Sequence, residues 1–197
     1  MVGDRSNAYF WNGSHVKAGN SKSSFFKVPF CHKVKSMKPE SMNHYFGRDL
    51  EAMSFADNYH RWILSEFLPY IGVSVAEVGA GVGNFSDLIL ETNVTSLMAF
   101  EPSSNMYPLL KEALSKDKRA VAINGFFGKK VNDKRSDPVI YVNVLEHIED
   151  DASELAAAHD SLNPDGHLLL FVPALPWLYS EFDRQVGHFR RYTRKPC

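Results

Sequence analysis

The stretch Ser74-Val75-Ala76-Glu77-Val78-Gly79-Ala80-Gly81-Val82-Gly83-Asn84-Phe85 decides the fold of this chain. A short apolar run contains an acid near its end, three glycines follow at alternating positions, and an amphipathic segment begins after them. This order predicts a strand, a tight turn and a helix, and glycines let a ligand approach the backbone of such a turn. Because N–H groups at the start of a helix favour electron-rich ligand groups, the stretch indicates a nucleotide-like cofactor.

The composition is that of one globular domain. The chain has 197 residues, of which 44% are hydrophobic and 13% aromatic, and its formal net charge is −1. The charge provides no general attraction to nucleic acid or to anionic membranes, although local clusters could still act, and nucleic acid is not expected as a partner. No apolar run reaches the roughly 18 to 20 residues that a membrane-spanning helix needs, and the first residues lack the core of a signal peptide. We therefore expect no membrane span and a cytoplasmic protein.

The cysteines give no sign of a metal centre. Cys31 and Cys197 are far apart and lack metal-type spacing, which suits a reducing compartment. No metal site is predicted.

Short apolar runs alternate with helical patterns over most of the chain. Residues 1–41 lack a sustained period and are expected to form an irregular N-terminal arm, whereas residues 42–70 carry apolar side chains at helical intervals. The alternation that follows predicts an α/β domain with a parallel sheet. The predicted strands are Val73–Val78, Ser96–Glu101, Ala120–Ile123, Val139–Val142 and His167–Val172, and the predicted helical segments between them are Phe85–Leu90, Met106–Leu114 and Ala152–Leu162.

The glycine-rich stretch resembles the signature of class I S-adenosylmethionine-dependent methyltransferases, and the similarity runs from about Met42 to Lys195. The resemblance implies a Rossmann-like parallel sheet and S-adenosylmethionine as cofactor. It also implies that Gly79, Gly81 and Gly83 lie against the cofactor and that Glu77 lies near its amino group. The alternative is a tight turn in another nucleotide-binding fold. A dinucleotide fingerprint would place its third glycine where Asn84 stands, which disfavours a dehydrogenase.

Two further residues are expected to bind the cofactor from strand ends. Glu101 ends the second predicted strand, where a carboxylate can accept hydrogens from both ribose hydroxyls. The alternative is a solvated acid at a strand end. Asn124 follows the third strand at a position where many relatives carry an acid that bonds the adenine amino group, and its carbonyl could substitute. A turn-forming Asn-Gly pair explains it equally well.

The segment Tyr141–Asp151, which continues from the fourth predicted strand, also resembles the corresponding segment of the family. By this resemblance Asn143 borders the cofactor, and Glu146 and His147 face the cleft or support its wall. Because imidazole titrates near neutrality, His147 is a candidate general base, with a structural role as the alternative.

The segment Phe182–Arg194 resembles one that covers the active site in one methyltransferase subgroup. His188 and Tyr192 are therefore candidates, with His147, to orient the acceptor or to move a proton. The resemblance also makes Tyr179, Asp183 and Arg191 candidates for contact with the acceptor. Basic side chains in this segment either recognise an anionic acceptor or form a solvated basic surface; they are Arg190, Arg191, Arg194 and Lys195.

The family fold has seven strands, but only Pro173–Cys197 follow the fifth predicted strand. We therefore expect residues 42–197 to form a C-terminally truncated methyltransferase domain that lacks the last two strands. An inner strand would then be exposed as a sheet edge, which favours self-association. The functional hypothesis is methyl transfer from S-adenosylmethionine to an unidentified small-molecule acceptor. The alternative is a non-catalytic S-adenosylmethionine-binding or interaction protein.

Overall fold

A computed structural model describes residues 8–12, 57–129 and 135–193. Its helices and strands follow one another in the α/β order that the sequence predicts. They are β1 (Ala8–Asn12), α1 (Asp57–Phe67), β2 (Ser74–Val78), α2 (Asn84–Leu90), β3 (Ser96–Glu101), α3 (Tyr107–Leu114), β4 (Ala120–Asn124), β5 (Val139–Val142), α4 (Asp151–Ser161), β6 (His167–Phe171) and α5 (Glu181–Gln185). Short 3-10 turns cover Leu68–Tyr70, Phe127–Lys129, Leu145–His147 and Pro176–Leu178.

The six strands form one sheet in the order β1-β6-β5-β2-β3-β4. Strands β2 to β6 are parallel, which confirms the predicted Rossmann-like sheet. The chain leaves β2 towards β3 on one side, and β5 lies on the other side of β2. In open parallel sheets the connections diverge at such a reversal and leave a crevice at the carboxyl ends of the strands, so the fold itself marks the loops after β2 and β5 as the site.

Strand β1 corrects two expectations from the sequence. Residues 8–12 are not irregular, because they pair antiparallel with β6 from Ala8 opposite Phe171 to Asn12 opposite His167. Strand β6 is therefore covered and is not the exposed edge that we expected; β4 and β1 are the edges of the described sheet. The other residues of the predicted arm lie outside the described residues.

Apolar side chains cover both faces of the sheet because successive strand residues point to opposite faces. Helices α1 and α2 bury Phe67 and Ile89 against one face, where Val75, Leu97 and Ile140 belong to the same cluster. Helix α4 and the Phe127–Lys129 turn cover the other face, which carries Ala76, Phe100, Val139, Tyr141 and Leu168. This three-layer arrangement buries the strands on both sides and leaves their carboxyl ends to carry polar groups.

The remaining part of the predicted first helix, residues 42–56, lies outside the described residues. None of the helices that the structure describes is both long enough and apolar enough to cross a membrane. Residues 172–193 contribute α5, one 3-10 turn and a single bridge between Ala174 and Tyr192, rather than further strands of the sheet.

Candidate functional site

The glycine loop after β2 is fixed by backbone hydrogen bonds to β3 and by close packing against the Val144 side chain. The N–H groups of Gly79 and Ala80 both donate to the carbonyl of Phe100, at 2.9 and 3.0 Å. Gly79 has a φ of +71°, and a Cβ there would lie 2.4 Å from Cγ2 of Val144. Only glycine satisfies both conditions, so the loop is fixed against the residue that precedes the 3-10 turn after β5.

Glu101 joins the end of β3 to this loop. Its side chain is buried, with a residue exposure of 5%. Its Oε2 accepts from the N–H of Gly81 at 2.9 Å, and its Oε1 accepts from the N–H of Ser103 at 2.8 Å. A carboxylate has about four acceptor positions, so these two bonds orient the group and leave capacity for ligand hydroxyls.

Glu77 lies beneath the loop, at 3% exposure, and its Oε2 accepts the hydroxyl hydrogen of Ser86 in α2. Burial raises the pKa of Glu77 to about 8, although the Ser86 hydrogen bond opposes the shift. A neighbouring cation would favour the charged form and lower this pKa again. A cationic group close to Glu77 would therefore be stabilised by its carboxylate.

The two predicted asparagines lie at the ends of β4 and β5, which β2 and β3 separate in the sheet, and both bond to the protein. The Asn124 amide donates from Nδ2 to the backbone carbonyl of Glu101 at 3.1 Å. Asn143 follows β5 with a φ of 53°, and its Nδ2 donates to the hydroxyl of Tyr59 at 3.3 Å. Asparagine tolerates this left-handed conformation better than most residues. These bonds link α1 and β3 to the edge where the glycine loop lies.

A second cluster forms where the Leu145–His147 turn meets the segment after α5. The N–H of Phe189 donates to the carbonyl of Glu146 at 2.8 Å, which fixes the two segments side by side. Glu146 is fully buried, and its Oε1 lies 4.0 Å from Nε2 of His188. The rings of His147 and His188 meet edge to face with centroids 4.7 Å apart. The structure thus brings together two predicted catalytic histidines and a buried carboxylate.

Several hydrogen bonds within the segment that follows β6 converge on the Asp183 carboxylate, which we call the hub of this segment. It is buried, and its carboxylate accepts from Arg191 Nε at 2.8 Å and from Arg191 Nη2 at 3.0 Å. The backbone N–H of Ser180 donates to Oδ2 at 2.8 Å, and Nδ1 of His188 lies 3.0 Å from Oδ1. The bidentate Arg191 contact is the main reason why the pKa of Asp183 is held far below its usual range. An ionised Asp183 therefore orients the His188 ring.

Tyr192 and Arg190, from the segment after α5, both contact Asp151 at the start of α4. The Tyr192 hydroxyl lies 3.1 Å from the carbonyl of Leu145 and 3.0 Å from Oδ2 of Asp151, and burial is the largest cause of its raised pKa. Arg190 Nη1 lies 2.5 Å from Oδ1 of Asp151. Arg190 and Arg191 are thus engaged within the protein, and Arg194 and Lys195 lie outside the described residues. The basic segment predicted from the sequence is, in its described part, a set of internal ion pairs.

The structure places the predicted cofactor residues around one loop and the predicted catalytic residues around another. Val144 connects the two groups, because its side chain contacts Gly79 and its carbonyl accepts from the N–H of His147 at 2.9 Å. Sequence reasoning missed Ser86 as the partner of Glu77 and Asp183 as a hub. A hydroxyl in the first turn of the helix after the glycines was the available signal for Ser86.

Comparison with known proteins gives the same family as the glycine signature. A family described as a methyltransferase domain matches residues 40–196. No curated protein matches the chain by sequence.

Solved structures share the fold at low sequence identity. The YcgJ protein from Bacillus subtilis aligns with a TM-score of 0.60 at 16% identity, over 68% of this chain and 63% of that one. Phosphoethanolamine N-methyltransferase 2 from Haemonchus contortus, solved with phosphomonomethylethanolamine and S-adenosylhomocysteine, aligns with a TM-score of 0.59 at 21% identity, over 68% of this chain and 34% of that one.

An S-adenosylmethionine-dependent methyltransferase from Mesorhizobium loti aligns with a TM-score of 0.51 at 19% identity, over 60% of this chain and 53% of that one. The chain thus spans between 34% and 63% of the length of these three structures. At these identities the likeness establishes a common fold, and the family match extends over most of the chain. The chain therefore belongs to the methyltransferase-domain family.

Proposed function

We propose that the chain binds S-adenosylmethionine around the loop after β2 and transfers its methyl group to a small-molecule acceptor held near the His147–His188 cluster. S-adenosylmethionine supplies a methyl group already activated on a sulfonium sulfur. The observation that carries the proposal is the bond between Glu101 and Gly81, because it makes the second acidic strand end and the glycine turn one preorganised site. The family match supports the same cofactor.

Glu101 is the proposed anchor for the ribose. The two backbone donors that hold its carboxylate fix the rotamer, so little further ordering is needed when ligand hydroxyls bind. A rigid carboxylate that accepts two hydroxyl hydrogens distinguishes a ribose diol from its deoxy analogue.

Glu77 is the proposed partner of the cofactor's amino group. In the free protein burial keeps this carboxyl largely protonated at neutral pH, since its pKa is about 8. An ammonium group nearby would favour the carboxylate, so cofactor binding is expected to release a proton from Glu77 near pH 7.

The acceptor is proposed to lie on the side of the Leu145–His147 turn. Asp183 engages Nδ1 of His188, which turns the other ring nitrogen of His188 towards Glu146 and His147. Polar atoms from three side chains are therefore grouped where an acceptor hydroxyl or amine can be oriented. Orientation supplies much of the rate when the methyl donor is already activated. Tyr192 is assigned a positioning role, because its hydroxyl contacts Leu145 and Asp151.

The alternative is binding without turnover. The bond between Glu101 and Gly81 is equally consistent with it, because a preorganised cofactor site needs no acceptor. In that case the cofactor site would act alone, in recognition or regulation.

The two functions are separated by two measurements on the full chain. Isothermal titration with S-adenosylhomocysteine is expected to show one saturable site, and no binding by well-folded protein contradicts both functions. Incubation with methyl-labelled S-adenosylmethionine and a panel of hydroxyl, amine and carboxylate acceptors then tests transfer. Labelled product supports the enzyme, whereas saturable binding without product across the panel supports the alternative.

A further inference from the structure

The Glu146, His147 and His188 side chains form a compact set of metal-ligand types. Each offers one ligand atom, and these three atoms all lie within 4.8 Å of one another. Glu146 is fully buried, and the His188 side chain is 12% exposed. Their three ligand atoms are close enough together to contact one ion, and a buried carboxylate favours a cationic partner.

Backbone contacts hold the three residues together. His147 N–H donates to the carbonyl of Val144, and Phe189 N–H donates to the carbonyl of Glu146 at 2.8 Å. Segments far apart in sequence are thus locked before any ion binds. A site that is preassembled in this way loses little entropy on binding.

Asp183 supplies the outer support that metal-bound histidines usually have. Its Oδ1 lies 3.0 Å from Nδ1 of His188, and the bidentate pair with Arg191 keeps Asp183 ionised and fixed. A histidine that donates one ring N–H to a carboxylate presents the lone pair of its other nitrogen, which raises its basicity as a ligand. Asp183 is not itself one of the three residues of the cluster, and it contacts the His188 ring nitrogen that faces away from Glu146.

We propose that Glu146, His147 and His188 bind one divalent transition-metal ion. Two imidazoles and one carboxylate match the ligand preference of Zn²⁺ and of neighbouring first-row metals, and three protein ligands leave a position open. The sequence indicated no metal site because the cysteines lack metal-type spacing and the two histidines, 41 residues apart (188 − 147), meet only in the fold.

The fit requires a modest contraction. Two ligand atoms of a tetrahedral zinc ion are about 3.3 Å apart, given metal–ligand distances near 2 Å. The separation between His188 Nε2 and Glu146 Oε1 is 4.0 Å, so a bound ion would draw this pair together by about 0.7 Å. The most separated pair of the three ligand atoms, at no more than 4.8 Å, would close by no more than about 1.5 Å. Rotation of side-chain torsions supplies such a movement without a change in the backbone.

The position of the ion suggests its use. Val144 joins the His147 turn to the glycine loop, so the open position would lie on the same edge of the sheet as the cofactor site. An acceptor oxygen bound to the ion would lose its proton more readily, because the ion stabilises the alkoxide. This last step rests on the proposed methyl-transfer function, whereas the metal site does not.

The test is metal binding by the full chain after removal of metals with a chelator. Titration with Co²⁺ is expected to reach one equivalent, with visible absorption typical of nitrogen and oxygen ligands and without a thiolate charge-transfer band. Glu146→Gln, His147→Gln and His188→Gln should each weaken binding by more than the roughly 10- to 100-fold that Asp183→Asn should cause. His159→Gln is the matched control, because His159 has a 64% exposed side chain and lies outside the cluster.

Circular dichroism and thermal unfolding establish that each variant is folded. A second measurement needs no variant: X-ray absorption of the wild-type protein with one equivalent of Zn²⁺ should show a first shell of nitrogen and oxygen with two imidazoles. Sulfur in that shell, no saturable binding by folded wild type, or unchanged binding in all three ligand variants would overturn the proposal. S-adenosylhomocysteine binding is titrated separately on metal-free protein, so failure of the metal site and failure of the cofactor site are distinguishable.

Discussion

Oε2 of Glu101 accepts a 2.9 Å hydrogen bond from the backbone N–H of Gly81, across 20 residues of sequence. The bond ties the end of β3 to the turn after β2, so two adjacent strands present one polar surface. The carboxylate is oriented by the protein itself, since Ser103 donates to its other oxygen. Any change at Glu101 is therefore felt by the loop as well as by a ligand.

Glu101→Gln is expected to weaken S-adenosylhomocysteine binding by about 10- to 100-fold, because the loss of one charged hydrogen-bond acceptor costs about 1.5–3 kcal/mol. The amide presents one acceptor oxygen where the carboxylate presents two, so either Gly81 or Ser103 loses its partner. Titration calorimetry measures the affinity, and Glu112→Gln on the exposed side of α3 is the control. Equal affinity in the two variants would contradict the role of Glu101.

Glu77 makes the stability of the free protein depend on pH. Its pKa rises from 4.5 in the unfolded chain to about 8 on folding, so the folded state favours the protonated carboxyl. The contribution of Glu77 to the free energy of unfolding is therefore highest below pH 4.5, falls as the pH rises towards 8 and is constant above that value. Glu77→Gln imitates the protonated form and removes this dependence.

The variant and the wild type should accordingly have similar free energies of unfolding at about pH 5, and the variant should be more stable by roughly 3 to 5 kcal/mol at about pH 9. Urea unfolding at several pH values measures the difference. If the free energies of unfolding of the variant and the wild type differ by the same amount at every pH, Glu77 does not change its protonation on folding. The same variant should bind S-adenosylhomocysteine more weakly, since its amide cannot form an ion pair with an ammonium group.

Gly79→Ala is expected to lower the free energy of unfolding by about 2–4 kcal/mol, from left-handed backbone strain and overpacking together. The added Cβ would lie 2.4 Å from Cγ2 of Val144. Val144→Ala in the same chain removes the overpacking but leaves the strain. A double-mutant cycle by urea unfolding should therefore show partial rescue, whereas full additivity would mean that the two residues do not contact each other.

Arg191→Ala should destabilise the segment after β6 by about 2 kcal/mol or more, because it leaves the buried Asp183 without its bidentate partner. Arg184→Ala is a matched control from the same segment. Arg184 also pairs with an acid, Glu181, but their side chains are 60% and 64% exposed, so its loss should change the free energy of unfolding by less than about 0.5 kcal/mol. Limited proteolysis after residue 172 and thermal unfolding measure the effect; equal destabilisation by the two variants would contradict a special role for Asp183.

The sequence was sufficient to predict the five parallel strands because each is a short, mainly apolar run between helical or turn-forming segments. Strand β1 was not predicted. Its partner, β6, lies near the other end of the chain, and residues 8–12 show no alternation that would mark them as a strand. The sequence of one strand carries no local signal that identifies a distant strand as its partner.

The residues of the candidate site also divide into those that the sequence could predict and those that it could not. Glu101 was predicted from its place at the end of a parallel strand, and Glu77 from the resemblance of the glycine-rich stretch to the family signature. The part played by Asp183 was not, because its contacts depend on Gly187, whose φ of +88° turns the chain after α5 and returns His188 to the Asp183 carboxylate. The spacing of Asp183, His188 and Arg191 fits neither helical nor strand periodicity, so periodicity alone could not bring them together.

The pairing of β1 with β6 has a consequence for synthesis. Of the six described strands β1 is translated first and β6 last, so β1 remains without its partner until the four strands between them have been translated. Contacts of such high sequence separation form slowly, since a long loop must close before any hydrogen bond forms. Until then the nascent chain carries two unpaired strand edges, and its exposure to chaperones and to aggregation is set by the time needed to translate the sheet between them.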